Sequence, residues 1–174
     1  MIQGNLIKFY IYSMALSNFK RMIQLAEDIF SVKNDPDQLD VNEDVIERLQ
    51  KIHPSTVSEY DDGNGPVAWV LIIPTTLELM KQFLENKISE KELFDLTPIG
   101  IKYEALYLCS AMVLEEYRRK GIAEKLAIQA IENIRKEHPV KVLFVWAFSK
   151  EGDLGSEKLA RLTSLPLKKK SELY

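Results

Sequence analysis

Residues 105–148, ALYLCSAMVLEEYRRKGIAEKLAIQAIENIRKEHPVKVLFVWAF, decide the fold of this chain. Two apolar segments, 105–114 and 140–148, have the length and composition of buried strands. Between them, apolar residues recur at helical spacing and predict an amphipathic helix. Its buried stripe consists of Ala123, Leu126, Ala127, Ala130, Ile131 and Ile134. A strand, a helix and a second strand in this order predict a βαβ unit, whose two strands are parallel.

The loop before this helix, Arg118-Arg119-Lys120-Gly121-Ile122-Ala123, has the chemistry of an anion site. The first N–H groups of a helix have no acceptor within it and lie at the positive end of its dipole. Gly121 has no β-carbon, so a ligand can approach the backbone closely. The loop therefore predicts a cradle for a diphosphate. It lacks the Gly-x-x-x-x-Gly-Lys-Ser/Thr pattern of ATP sites and the three glycines of dinucleotide sites.

The rest of the chain predicts further strands and helices around this unit. Alternating apolar residues at 7–11 predict a first strand, and a Gly/Asn-rich turn at 61–65 predicts a hairpin between strands at 57–60 and 66–73. Helices are predicted to begin near Ser17 and after Asn42. Two more are predicted within residues 75–101, one after Thr75 or Thr76 and one after Ser89. A last helix is predicted to open at Gly155 and Ser156, before a basic tail.

The segment Arg118-x-x-Gly121-x-Ala123, after a long apolar strand, resembles the acetyl-CoA-binding motif of the GNAT superfamily of N-acyltransferases. The order of the predicted elements is similar to that of the family as well. The resemblance implies an α/β (α+β) fold with a central mixed, twisted sheet of about six strands flanked by helices. Residues 1–174 are expected to form a single domain, with 75–101 as a helical insert before the central strand.

The resemblance also implies a cofactor site and a reaction. Acetyl-CoA, as co-substrate, would lie where the strands 105–114 and 140–148 separate, and no metal is expected. The implied cofactor-binding residues are Met112, Val113, Arg118, Arg119, Lys120, Gly121, Ile122, Ala123 and Ser149. The implied reaction is transfer of an acetyl group to a primary amine by direct attack in a ternary complex, without an acyl-enzyme.

The catalytic groups are less well marked. Many family members carry a tyrosine acid on the last helix, where this chain has Thr163, and an asparagine near the position of Ser149. The strand offers four candidate bases: Glu104, Tyr107, Cys109 and Ser110. Side chains alternate along a strand, so odd-numbered residues from 107 to 111 are expected on one face and even-numbered residues on the other. Tyr107 and Ser149 are the predicted catalytic residues. A water chain is the alternative to a base supplied by the protein. A non-catalytic module that binds CoA or acyl-CoA is the alternative to an enzyme.

Composition and charge restrict the class of protein and its partners. The chain has 174 residues, 46% of them hydrophobic and 28% charged, which is ordinary for a globular protein. One cysteine excludes an internal disulfide, and two histidines argue against a dedicated zinc site. The lack of a leader-like segment favours a cytoplasmic location. A net charge of −3 argues against nucleic acid as a partner, and no apolar run predicts a membrane partner.

The acceptor is expected to be a small-molecule or peptide amine. Residues 35–62 carry nine acidic and two basic residues, which slightly favours a cationic acceptor. The helical insert at 75–101 is expected to cover the acceptor site. A homodimer is possible in a fold of this kind.

Overall fold

The computed structural model describes residues 17–29, 36–40 and 42–171, and within them six helices and five strands. The helices are α1 (Asn18–Ile29), α2 (Glu43–Ile52), α3 (Leu77–Leu84), α4 (Glu90–Leu96), α5 (Ile122–Arg135) and α6 (Lys150–Thr163). The strands are β1 (Val57–Asp61), β2 (Pro66–Thr75), β3 (Ala105–Val113), β4 (Val142–Val145) and β5 (Leu167–Lys169). The strand predicted at residues 7–11 lies outside the described ranges. No helix within these ranges is long and apolar enough to cross a bilayer.

The strands form one mixed sheet in the order β1-β2-β3-β4-β5. The first three strands pair antiparallel, whereas β3–β4 and β4–β5 pair parallel. The predicted mixed α/β fold and the parallel βαβ unit are therefore confirmed. The described residues supply five strands rather than about six.

Two predicted boundaries near the C-terminus were wrong. The segment 140–148 forms a strand only over Val142–Val145. The last helix begins at Lys150, not at Gly155, because Ser149 caps it with a hydrogen bond from the Gly152 amide to its Oγ, at 3.0 Å. The earlier residues of this helix carry too few apolar side chains to be recognised by periodicity.

Helices cover both faces of the sheet. On one face, which we call the insert face, α2, α3 and α4 pack on β2, β3 and β4 through residues such as Phe83, Tyr107 and Phe144. On the other face, the predicted stripe of α5 packs against Leu106 and Leu143. The helices predicted within 75–101 are confirmed, each capped at its N-terminus, by Thr76 and Ser89 respectively.

A β-bulge interrupts β3 at Cys109. The antiparallel register places Ser110 opposite Leu71 but Leu108 opposite Ile72, so Cys109 is one residue in excess on β3. The predicted alternation beyond Cys109 was therefore wrong. Tyr107 and Ser110 are brought to the same face of the sheet, because the extra residue resets the period of two.

Candidate active site

The parallel strands β3 and β4 separate halfway along β3. They pair only from Ala105–Val142 to Leu108–Val145, whereas β3 continues to Val113 in contact with β2. The bulge at Cys109 lies directly after Leu108, the last residue of β3 that pairs with β4. Bulges are over-represented next to active sites. Backbone groups from 109 to 113 therefore border a gap in the sheet. Met112 and Val113 lie on this part of β3, which does not pair with β4.

Beyond the end of β3, the segment 118–123 leads into α5 and includes its first residues. Gly121 is the N-cap residue in a left-handed conformation, with φ of 75°, and no side chain caps the helix. A β-carbon at Gly121 would meet no atom within 4 Å, so the space in front of the helix is open. The amides of Ile122 and Ala123, in the first turn, lack acceptors within the helix. This arrangement fits the diphosphate of a cofactor.

Two basic side chains of the loop contact residues that precede it. The Nε of Arg118 donates to the carbonyl of Val113 at 3.1 Å, which ties the loop to the end of β3. The ammonium of Lys120 lies 5.3 Å from the ring centre of Tyr117. Arg119 is exposed and has φ of 61°, a conformation that turns the chain sharply before Gly121. The loop thus carries three positively charged residues immediately before the first turn of α5.

Side chains from distant parts of the chain fix the other end of this loop, and we call these contacts the loop anchor. The guanidinium of Arg21, on α1, binds the carboxylate of Glu116 with two hydrogen bonds of 2.5 and 2.8 Å. The Tyr117 hydroxyl donates to Asp62 in the hairpin loop, and Asp62 also accepts from Asn18 at 3.4 Å. Arg21 lowers the pKa of Glu116 to about 2, so this carboxylate stays charged. Sequence reasoning missed the loop anchor, because its members are far apart in the chain.

Arg21→Ala is expected to weaken the acetyl-CoA binding that the family resemblance implies, while leaving the melting temperature nearly unchanged. The pair is exposed and contributes little to folding, but without it the loop must be ordered when ligand binds. An affinity loss of about threefold to tenfold is expected from that ordering. Calorimetric titration measures it. Lys51→Ala, which breaks an exposed pair with Glu47 on α2, is the matched control and is expected to bind normally. Equal affinities of the wild type and Arg21→Ala would contradict the role of the loop anchor.

A cleft of about 570 Å³ opens on the insert face near the ends of β4 and β5. Its lining includes Asp37, Ser89, Glu90, Trp146, Phe148 and Lys170. Helix α4 of the insert contributes one wall. The cleft combines carboxylates with aromatic side chains, a chemistry that suits an amine.

A buried carboxylate borders this cleft. Glu90, the first residue of α4, is 7% exposed. Its Oε2 accepts from the Tyr107 hydroxyl at 2.6 Å, and its Oε1 accepts from the Leu39 amide at 2.9 Å. Burial raises the pKa of Tyr107 well above its usual value, and Cys109 and Glu90 raise it further. Sequence reasoning missed Glu90, because an acidic residue in the first turn of a helix usually stabilises the dipole from the surface.

The predicted catalytic residues lie in different settings. Tyr107 is fully buried, on the insert face near the point where β3 and β4 separate. Ser149 is exposed, beyond the end of β4, and its Oγ accepts the Gly152 amide. Thr163 on the last helix is buried, and its hydroxyl donates to the carbonyl of Leu159 at 2.7 Å. Among the other candidates, burial and Glu90 raise the pKa of the Cys109 thiol, which keeps it protonated.

His53 and His138 lie close to Glu137, just after the ends of α2 and α5. This cluster is at the opposite end of the βαβ unit from the segment 118–123. The Nε2 of His53 lies 2.8 Å from the Glu137 carboxylate. The Nδ1 atoms of His53 and His138 accept backbone amides from Ser55 and Tyr103, at 3.0 and 3.3 Å. A histidine that binds a metal normally donates a proton from its other nitrogen. This donor set therefore suits hydrogen bonding rather than a metal.

Stability is expected to fall as the pH drops below about 6.5, the ordinary value of histidine, because of His138. Burial lowers the pKa of His138, the neighbouring His53 and Lys102 lower it further, and Glu137 opposes them. Protonation therefore favours the unfolded chain. The stabilisation that neutral His138 contributes is complete above the pKa that it has in the unfolded chain, and it is lost as the pH falls towards the lower pKa that it has in the folded protein. Denaturant titrations between about pH 7 and pH 5 measure the slope. His138→Asn keeps an acceptor without titrating and is expected to flatten the slope, whereas an unchanged slope would refute the assignment.

A family model matches this chain, and two solved structures are similar to it. Residues 19–162 match the family model described as the acetyltransferase (GNAT) family. An aminoglycoside acetyltransferase from an uncultured soil metagenomic sample, solved in complex with trehalose, is 18% identical, with a TM-score of 0.46 over 91% of this chain and 88% of that one. A possible acetyltransferase from Clostridium difficile 630 is 16% identical, with a TM-score of 0.42 over 89% and 91%. A search of curated protein sequences finds no match. Since the family model covers most of its length, this chain belongs to the acetyltransferase (GNAT) family.

Proposed function

We propose that the protein transfers the acetyl group of acetyl-CoA to a primary amine. The observation that carries this proposal is the position of the uncapped start of α5 at one end of the gap between β3 and β4. An anion cradle at one end of the gap and an acidic, aromatic cleft near its other end suit a phosphorylated donor and an amine acceptor. Family membership supports acetyl transfer as the reaction.

The cradle would hold the donor by its phosphates. The amides of Lys120, Gly121, Ile122 and Ala123 are proposed to bind the pyrophosphate, with the charges of Arg118, Arg119 and Lys120 around it. Backbone groups of Met112 and Val113 are proposed to bind the pantetheine arm, and Ser149 is its candidate partner on the β4 side. Bound acetyl-CoA supplies the activated thioester. The chain contributes positioning of the two reactants and a polar surrounding for the carbonyl oxygen.

Proton handling is proposed to involve the hydrogen-bonded pair of Tyr107 and Glu90. The raised pKa of Tyr107 keeps its hydroxyl protonated, so that the hydroxyl donates to Glu90. Its proton is held by the Glu90 carboxylate at 2.6 Å. Because Tyr107 is fully buried, we propose that water in the cleft connects this pair to the leaving thiolate and to the attacking amine.

A second candidate function is binding of CoA or acyl-CoA without turnover. Two observations favour it: the hydroxyl of Tyr107 is already engaged with Glu90, and the Oγ of Ser149 is engaged as a helix cap. A protein of this kind would keep the cradle but release no thiol.

Initial rates measured while acetyl-CoA and an amine are both varied test the proposal. Direct attack in a ternary complex predicts lines that intersect in double-reciprocal plots, and mass spectrometry of the product should show one acetyl group on nitrogen. Parallel lines would indicate an acyl-enzyme and contradict direct attack. Saturable acetyl-CoA binding with no product from any amine would favour the second candidate. Thiol release without added amine is the background control.

A further inference from the structure

Lys170 holds an amine inside the candidate acceptor cleft. Its backbone amide donates to the carbonyl of Val145, the last residue of β4, at 2.9 Å. Lys170 therefore lies level with the point where β3 and β4 separate, across β4 from the gap. Its ammonium turns onto the insert face, 4.0 Å from the ring centre of Phe83 and 4.5 Å from that of Trp146. The sequence marks Lys170 only as part of a basic tail, whereas the structure shows that its side chain is half-buried.

The surroundings of this amine resemble those of a reactive lysine. Burial lowers its pKa, and the carboxylates of Glu90 and Asp37 oppose that effect. A larger fraction of neutral amine is then present near neutral pH than for an exposed lysine. The ring of Phe83 beneath the ammonium also contacts the ring of Tyr107, with centroids 5.1 Å apart. Tyr107 directly precedes Leu108, the last residue of β3 that pairs with β4.

We propose that Lys170 is an acetyl acceptor of this protein itself, so that the enzyme acetylates its own C-terminal segment in the cleft. This inference rests on the proposed function, since acetyl-CoA must bind at the cradle. The neutral Nζ of Lys170 attacks the thioester carbonyl, an N–C bond forms and the C–S bond breaks. The thiolate of CoA leaves and is protonated by the proton that the new amide nitrogen loses, so atoms and charges balance.

The adjacent lysines provide internal controls. Lys168 is exposed, two residues away on the same side of β5. Lys169 points to the other face, where it pairs with Asp153 and Glu157 on α6 at 2.7 and 2.6 Å. Those carboxylates raise the pKa of Lys169 and keep it charged. Lys168 therefore reports chemical acetylation of an exposed lysine by free acetyl-CoA, and dependence on the cradle separates enzymatic transfer to Lys170 from chemical transfer.

The experiment incubates the full chain with isotope-labelled acetyl-CoA and measures acetylation of each lysine by peptide mass spectrometry. Positioning in the cleft predicts that Lys170 is labelled at least about tenfold faster than Lys168. Gly121→Glu, which fills the cradle, is expected to remove this preference. Lys170→Arg keeps the cation over the aromatic rings, cannot accept an acetyl group, and should lose one label per chain.

The outcomes separate this inference from the proposed function. Preferential labelling of Lys170 that depends on the cradle supports it. Equal labelling of Lys168 and Lys170 in a protein that acetylates an added amine overturns the inference and leaves the proposed function standing. Labelling of Lys170 that persists in Gly121→Glu overturns it too, since the reaction is then chemical. Absence of both self-labelling and amine turnover overturns the inference together with the proposed function.

Discussion

Gly121→Glu is expected to abolish the stabilisation of the protein by acetyl-CoA. The new carboxylate would stand in the open space before α5 and repel the diphosphate from the uncapped amides. A ligand at about 100 times its Kd stabilises the native state by about 2.7 kcal/mol. For a chain of this size, that corresponds to a rise in melting temperature of about 5–10 °C. Thermal unfolding with and without acetyl-CoA should show this rise in the wild type and none in the variant.

Two control variants separate loss of the cradle from strain in the backbone. Any side chain at Gly121 costs about 1 kcal/mol because of its positive φ. Gly121→Gln carries that cost without charge and is expected to keep part of the shift. Gly100 is exposed, has φ of 81° and is open within 4 Å, so Gly100→Glu adds similar strain and the same charge elsewhere. A full shift in Gly121→Glu, or an equal loss in Gly100→Glu, would show that the cradle is misplaced.

Glu90→Ala is expected to destabilise the protein by about 3 kcal/mol, because the Tyr107 hydroxyl and the Leu39 amide lose their buried acceptor. The melting temperature should fall by about 6–12 °C. Denaturant unfolding of the variant, without ligand, measures the change in the free energy of unfolding.

The partner residue makes this prediction specific. Tyr107→Phe removes the donor, so the double variant should be less destabilised than the two single changes added together. Glu92→Ala, on the same helix but exposed, removes only a capping contact to Ser89 and should cost about 1 kcal/mol or less. Additive effects of Glu90→Ala and Tyr107→Phe would contradict a coupled pair.

The features that follow from local chemistry were predictable from the sequence. The stripe from Ala123 to Ile134 has the period of a helix, and it packs on the sheet as expected. Thr76 and Ser89 carry side chains that accept from the first turn, and both cap helices. The parallel pairing of β3 and β4 followed from the helix that connects them.

The features that depend on distant contacts were not predictable. The bulge at Cys109 results from the pairing of β3 with β2, and nothing in the run 105–113 marks the extra residue. The pair of Arg21 and Glu116 joins residues 95 positions apart. Lys170 reads as one of three solvated lysines, and only the position of Phe83 and Trp146 shows that its ammonium is half-buried. Charged residues carry little sequence signal for burial, because most of them lie on the surface.

Release of free thiol from acetyl-CoA in the presence of amines tests the central claim most directly. The account predicts saturable, amine-dependent release by the wild type and by Gly100→Glu, and none above background by Gly121→Glu. Acetyl-CoA binding to the wild type without thiol release for any amine, or release by Gly121→Glu at the rate of the wild type, would contradict it.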